Sequence, residues 1–242
     1  MKSSELTIIQ RAVLARILSL NLPTGARVLD APCGNGAMTV ALAQQGFSAK
    51  GADLASEAAA LLGPSFTQAN LDAALPWPNE NFDAVFCTEG IEHLENHFSF
   101  LREIRRILKP GGTLVLTTPN ITALRSRVRF FGSGFFGRDS RPLNESARYP
   151  LHHIGLATLP ELRYELHVSG FHLIEISHTH VKPVSYLYAI FAPWMWFYTR
   201  IAFRKEKDGV QRDRNKEILA ALLSPSALFG ECLLLIAKKT SG

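Results

Sequence analysis

Val28-Leu29-Asp30-Ala31-Pro32-Cys33-Gly34-Asn35-Gly36-Ala37-Met38-Thr39 runs an apolar strand into an aspartate, then into a two-glycine turn, then into a helix opening near Gly36. A strand that feeds a helix through glycines leaves backbone N–H groups at the helix N-terminus. The missing Cβ atoms let a ligand approach the main chain. Phosphate favours such a site, but a carboxylate at the strand's end repels an anion and accepts hydrogen bonds from an ammonium group. The stretch therefore reads as the floor of a pocket for a cationic nucleoside without phosphate. The plainer alternative is an ordinary strand-turn-helix in which an acid caps the helix, since short glycine motifs also occur by chance.

Working outward, Ser48-Ala49-Lys50-Gly51-Ala52-Asp53 is a short strand ending in a second acid, about twenty residues past the first glycine, where a carboxylate takes both ribose hydroxyls. Asn70-Leu71-Asp72 precedes Leu75-Pro76-Trp77-Pro78, and Asn81-Phe82-Asp83-Ala84-Val85-Phe86-Cys87 follows as a buried strand. Ile107-Leu108-Lys109-Pro110-Gly111-Gly112 reads as a helix end and turn, leading into the strand Thr113-Leu114-Val115-Leu116. Strands are predicted at 26–30, 48–53, 65–69, 82–87, 112–118, 171–177 and 230–237, alternating with helical segments. That pattern implies a single α/β domain built on a doubly wound, mostly parallel seven-stranded sheet, whose ligands bind at the carboxyl ends of the strands.

These runs, at these intervals, resemble the class I S-adenosylmethionine-dependent methyltransferases, closely over residues 26–120 and loosely over 151–238. The resemblance implies a Rossmann-like methyltransferase fold with S-adenosyl-L-methionine as donor. Asp30 would face the methionine amine, and Cys33, Gly34 and Gly36 would floor the pocket. Asp53 would take the ribose. Asn70 stands where the family usually has an acid, and its carbonyl would accept from the adenine amino group. Leu71 would offer its N–H and an apolar contact, while Thr88 and Glu89 would line the pocket past the fourth strand. The resemblance also places the last strand, Glu231 onward, antiparallel beside the fifth.

Composition agrees with one core: the 242 residues are 47% hydrophobic and 19% charged, with a net charge of +5. Cys33, Cys87 and Cys232 fall in or beside predicted strands at spacings unlike a zinc site or a disulfide scaffold, as expected of reduced core thiols in a cytoplasmic protein. No secretory signal is recognisable near Lys2. Residues 5–20 read as an amphipathic helix with Leu6, Ile9, Val13, Leu14, Ile17 and Leu18 on one face, covering the cofactor site or a sheet edge.

Thr88-Glu89-Gly90-Ile91-Glu92-His93 follows the fourth strand, next to where the sulfonium belongs, and His152-His153 precedes a helix predicted over Leu159 to Ser169. If the first segment opens a helix, Glu89, Glu92 and His93 bound one pocket. This spacing, with a distant histidine, resembles two metal-assisted branches: the small-RNA 2′-O-methyltransferases of the Hua-enhancer type and the ubiquinone-pathway O-methyltransferases. By that resemblance Glu89, Glu92, His93 and His153 hold a divalent ion, Mg²⁺ in first place, with Mn²⁺ or Zn²⁺ better suited to two imidazoles. Two readings stay open beside it: His93 as a metal-free general base with Glu92, and a structural role. His152 could also replace His153. An oxygen nucleophile is favoured throughout.

Residues 183–203 are intensely aromatic and carry one charge, Arg200, within an expected helical insertion at 180–228. Pro193 and Arg200 argue against a membrane span. Tyr and Trp favour the headgroup level, so the expectation is an element lying in the interface, the alternatives being a cap over the substrate pocket or a dimer face. A second insertion, 121–150, interleaves Arg125, Arg127, Arg129 and Arg138 with four phenylalanines, and Gly132, Gly134 and Gly137 would let it open as a lid. It matches in position a lipid-contacting insertion of the ubiquinone-pathway enzymes. The expected activity is O-methylation of a hydroxyl on a lipid, lipid-linked sugar or other hydrophobic small molecule, peripheral on the cytoplasmic membrane face. The rivals are RNA ribose 2′-O-methylation, although no RNA-binding module is recognisable, and a non-catalytic cofactor-binding subunit docked on a membrane partner.

Overall fold

Both faces of the central strands are apolar. In β4 (Phe82–Thr88) Val85 and Cys87 are buried in one cluster, while Ala84 and Phe86 are buried in another. A strand apolar on both sides needs cover on both sides, which is what a sheet flanked by helices provides. The structure, a computed structural model, describes residues 5–136, 143–146 and 151–240.

Its sheet has seven strands: β1 (Arg27–Asp30), β2 (Ser48–Asp53), β3 (Phe66–Gln68), β4, β5 (Leu108–Pro119), β6 (Phe171–His178) and β7 (Cys232–Lys239), in the order β3-β2-β1-β4-β5-β7-β6. The first five run parallel. β7 inserts antiparallel to both β5 and β6, as the resemblance implied. The order reverses between β1 and β4, so the crevice at their carboxyl ends is the expected ligand site. β5 begins earlier than the predicted 112–118. Leu108 pairs Phe82 and Thr113 pairs Ala84, and the Lys-Pro-Gly-Gly turn is looped out between them.

One face is covered by α1 (Ile8–Leu18) and α2 (Ala37–Gln44), with Val13, Ile17, Met38 and Leu42 packed on Val28, Phe86 and Val115. The N-terminal helix thus covers a sheet face. Leu18, expected on its apolar side, is instead exposed at the helix end. Against the other face pack α4 (His97–Ile107), which follows the short α3 (Ala59–Leu62), and α6 (Leu159–Val168). Phe100, Leu101, Ile104 and Ile107 recur at helical spacing, and all are inaccessible to solvent.

After β5 comes α5 (Leu124–Ser133), ended by Gly134 at φ +73°. Between β6 and β7 the chain passes through a 3₁₀ turn, Pro183–Phe191, then α7 (Ala192–Phe203), α8 (Gly209–Leu222) and α9 (Pro225–Phe229). The basic stretch on α5 is less of a solvated face than the sequence implies. Arg125 pairs with Glu231 at 3.1 Å. Arg127 donates to Thr122 O at 2.6 Å and to Met195 Sδ at 3.7 Å. Arg138 and Gly137 lie outside the described residues, as do parts of the expected lid. Glu231 also accepts from Lys182 Nζ at 2.5 Å. Asn120, at the end of β5, donates through Nδ2 to the carbonyls of Ser226, Ala227 and Gly230.

Candidate active site

The donor side is built by β1, β2 and the turn between β1 and α2. Asp30 ends β1 beside Gly51 and Phe86 and is only 1% exposed. Its Oδ2 accepts from Thr39 Oγ1 at 2.6 Å, one turn into α2. Burial pushes the Asp30 carboxyl up to about 7 against the pull of the Thr39 hydroxyl, and the charge of Asp53 adds to the rise. Gly36 caps α2 at φ +83°, in the left-handed region that favours glycine; a Cβ there would lie 3.1 Å from Leu62 Cγ. Gly34, at φ +53°, has open space where its Cβ would project, so the floor of the loop is clear for a ligand.

Asp53, at the end of β2, ties this floor together. Its Oδ2 accepts from Gly34 N at 2.8 Å and its Oδ1 from Ala55 N at 3.0 Å, and each oxygen keeps a second lone pair for a ribose hydroxyl. Cys33 is buried, its N–H donating to Ala52 O at 2.8 Å; burial pushes its thiol up to about 12, so it serves as packing rather than as a nucleophile. Cys87 and Cys232 are likewise buried thiols, pushed upward by desolvation. Asn70 is exposed, and its Oδ1 accepts from Asp72 N at 3.0 Å in a turn while keeping a second lone pair. Leu71 is buried beneath it. Leu54, next to Asp53, is 54% exposed and gives the pocket an apolar side.

On the acceptor side, Thr88 ends β4 and Glu89 follows at φ +50°. That left-handed backbone changes the expected ligand set. The segment does not begin an α-helix at Glu89; it makes a three-residue 3₁₀ turn, Ile91–His93. Glu89 Oε1 faces Cys232 Sγ at 3.5 Å. The ligand atoms that gather within 4.8 Å of one another are those of Glu92, His93 and His153, without Glu89. His93 Nδ1 lies 3.1 Å from the carbonyl of His152, which only accepts, so Nδ1 carries the proton and Nε2 keeps its lone pair. The rings of His93 and His153 are 4.9 Å apart and tilted by 58°. Between the two candidate histidines, it is therefore His153 whose side chain joins the group, while His152 contributes its carbonyl. Gly155 N donates to Glu92 O at 2.9 Å and holds this segment beside the turn.

Glu92 is fully buried, and neither of its carboxylate oxygens has a hydrogen-bond partner; Thr88 Oγ1 and Thr118 Oγ1 nearby on the same edge are also unpartnered. Burial pushes the Glu92 carboxyl up to about 8 against the pull of its own backbone N–H, and the charge of Glu89 adds to the rise; Thr118, like that N–H, lies close enough to oppose the shift without making a well-aligned hydrogen bond. Unpartnered buried carboxylate oxygens are costly unless a cation or a ligand proton completes them. The donor set, one carboxylate and two imidazoles, fits Mn²⁺ or Zn²⁺ better than Mg²⁺. Next in sequence to both histidines, Leu94 and Ile154 enter a cleft of about 950 Å³ whose lining is mixed, with Phe98, Leu156 and Tyr164 beside His97, Glu161 and Glu165.

Three contributors were not singled out from sequence. Thr39 holds Asp30, and its place one turn into the helix behind the strand's acid was a readable signal. Asp72 Oδ1 accepts from Glu95 N at 2.9 Å and Asn96 N at 3.2 Å, pinning the loop after β4. Thr118 reaches Glu92 only through the pairing of β4 with β5, which no local pattern announces.

The chain is similar to known methyltransferases in sequence and in fold. A family model described as a methyltransferase domain matches residues 7–176. A Xanthomonas campestris protein named ubiquinone biosynthesis O-methyltransferase is 33% identical over 124 residues, covering 47% of this chain and 52% of that protein. A Pseudomonas fluorescens protein of the same name is 31% identical over 105 residues, covering 40% and 45%. The chain thus spans about half the length of the curated relatives it matches. Among solved structures, a SAM-dependent methyltransferase from Archaeoglobus fulgidus superposes with a TM-score of 0.59 at 17% identity, covering 96% of this chain and 95% of that one. Burkholderia thailandensis 1,6-didemethyltoxoflavin-N1-methyltransferase, solved with S-adenosylhomocysteine, gives 0.56 at 16% identity, covering 97% and 79%. With the matched model covering most of the chain, the protein belongs to the methyltransferase-domain family, the S-adenosylmethionine-dependent class I enzymes.

Proposed function

We propose that the protein transfers a methyl group to a hydroxyl oxygen of a hydrophobic small molecule or lipid-linked acceptor. The observation that carries this reading is the Glu92–His93–His153 group, with its unpartnered buried carboxylate at the edge of β4. S-adenosylmethionine supplies an electrophilic methyl on a sulfonium. Asp30 would hold the cationic methionine amine, Asp53 the ribose, and Leu54 and Leu71 the base.

The His152 carbonyl fixes the His93 tautomer and leaves the Nε2 lone pair either for an ion held with Glu92 and His153 or, with no ion, for the proton of an acceptor hydroxyl. Glu92, His93 and His153 would hold a divalent ion, which lowers the pKa of a hydroxyl bound to it. The cleft entered by Leu94 and Ile154, with Phe98, Leu156 and Tyr164 on its wall, would take the apolar part of the acceptor, and His97, Glu161 and Glu165 its polar part. The Xanthomonas and Pseudomonas relatives carry the name of an O-methyltransferase, which supports oxygen as the target.

The test is calorimetric titration of S-adenosylhomocysteine with and without Mn²⁺, followed by methyl transfer to a panel of catechols and vicinal diols. Donor binding that survives in Glu92→Gln, together with loss of transfer in that variant, is the expected result. Transfer to a nitrogen or carbon acceptor at equal rate in Glu92→Gln and wild type would refute the reading.

A further inference from the structure

α7 is packed inside out. Its inward side is narrow: Met195 is buried, Ala192 and Thr199 are half-covered, and Phe203 touches the main core. Its outward side carries Trp194, Phe197, Tyr198 and Ile201 at 65, 60, 66 and 42% exposure, one face at helical spacing. The preceding 3₁₀ turn continues it with Leu187 and Ile190, 75 and 78% exposed, and α5 packs against that turn and adds Phe131, 92% exposed. Contiguous exposed apolar surface of this kind on a protein marks an interaction site.

The charges in and next to it are mostly cationic, the nearest acids in sequence after it being Glu206 and Asp208 on either side of Lys207. From Ile176 to Lys205 the sequence contains no Asp or Glu, while Arg200, Arg204 and Lys205 lie in or just past the helix and Lys207 follows. Arg200, the charge that interrupts the apolar run, lies with its guanidinium 4.7 Å over the Trp196 ring, so its stem follows the apolar surface while its head stays at the polar boundary. Trp194 and Tyr198 stack at 6.1 Å. Aromatic rings with polar edges, rimmed by cations, match the chemistry of the headgroup layer of an anionic bilayer. Among the described residues no helix is long and apolar enough to cross a membrane, so the element would lie in the plane of the interface.

We infer that Pro183–Phe203 is a docking surface for an anionic phospholipid bilayer, seating Trp194, Phe197, Tyr198 and Leu187 among the headgroups with Arg204 and Lys205 on the lipid phosphates. This rests on no step of methyl transfer. It is measured without donor or acceptor, so its failure and that of the proposed function are separate.

The intact chain is sedimented with vesicles of phosphatidylcholine and with vesicles that also contain phosphatidylglycerol. Pelleting is expected with the anionic vesicles. It should weaken about tenfold or more in Trp194→Ser/Phe197→Ser and in Arg204→Glu/Lys205→Glu. Titration of S-adenosylhomocysteine checks that both variants are folded. A readout that needs no variant is quenching of wild-type tryptophan emission by brominated acyl chains: Trp194 and Trp196 should be reached, while Trp77 packs against Phe82 in the core. Pelleting retained by both variants, or equal pelleting with neutral vesicles, overturns the assignment. So does a concentration-dependent dimer that shields Trp194 and ignores vesicles, which would give this face to a second copy of the chain.

Discussion

Replacing Asp30 by Asn removes a charge that the folded chain, without its ligand, is poorly built to hold. The Asp30 carboxyl moves from an ordinary 3.8 to about 7 on folding, through burial first and Asp53 in addition. A shift of about three units corresponds to about 4 kcal/mol at 1.36 kcal/mol per unit, an upper figure for one buried group. The sign follows from proton counting. Between those two values the folded state binds the extra proton and the unfolded state does not, so wild-type stability falls as pH rises from about 4 to about 7 and the loss is complete above that. In Asp30→Asn the side-chain amide oxygen would still accept from Thr39 Oγ1, and it carries no charge. Urea unfolding of both proteins at about pH 4.5 and about pH 8 should show the variant gaining on wild type by a few kcal/mol at the higher pH alone. Subtracting the two curves removes the titration of Glu92 and of the surface acids. Binding should move the other way: S-adenosylhomocysteine brings an ammonium, so wild-type affinity rises with pH up to about 7 and the variant's is weak and flat. Parallel pH–stability curves would refute the claim that burial raises Asp30, and equal ligand affinity would refute its placement at the amine.

Other substitutions test the remaining contacts. Asp53→Ala withdraws the acceptor of Gly34 N–H as well as the ribose contact, so affinity for S-adenosylhomocysteine should fall about tenfold to a hundredfold by calorimetry, with a smaller loss of melting temperature. Gly51→Ala sets a Cβ 2.7 Å from Leu62 Cδ1 and 2.9 Å from Thr39 Oγ1 and should cost about 1–3 kcal/mol in urea unfolding while disturbing the Thr39–Asp30 hydrogen bond. His93→Gln removes the lone pair at Nε2 and should lower the methyl-transfer rate about a hundredfold or more without changing donor affinity, as read by single-turnover assays. If the transfer depends on an ion at Glu92, His93 and His153, EDTA should abolish it and Mn²⁺ should restore it in wild type but not in Glu92→Gln.

The donor side was legible because its signals are local. Gly34 and Gly36 follow an apolar strand at once, and their positive φ angles are what such a turn demands. Asp53 ends the next strand, which pairs parallel with β1. The acceptor side depended on partners far along the chain. Glu89 looks like a ligand until its left-handed backbone, held by hydrogen bonds from Glu89 N to Thr117 O and Oγ1 at 3.2 and 3.0 Å, turns the next residues into a 3₁₀ turn. Nothing adjacent to His152 and His153 says which side chain faces inward; the choice is made by His93, some sixty residues earlier, taking the His152 carbonyl. Arg125 and Arg127 read as free surface charges because Glu231 and Met195, which engage them, lie in distant segments.

Glu231 has one carboxylate and two tethers: Oε2 to Arg125 of α5 and Oε1 to Lys182, which leads into the aromatic segment. Its own N–H donates to His180 O, its carbonyl accepts from Asn120 N, and the next residue, Cys232, starts the strand that touches Glu89. Two peripheral elements are thereby riveted through a single side chain to the strand ends that carry the chemistry. A force that tilts the aromatic segment is delivered to the mouth of the site instead of being lost in a slack loop. Glu231→Gln would loosen that rivet, letting the periphery and the reaction centre move independently while leaving every residue of the pocket in place.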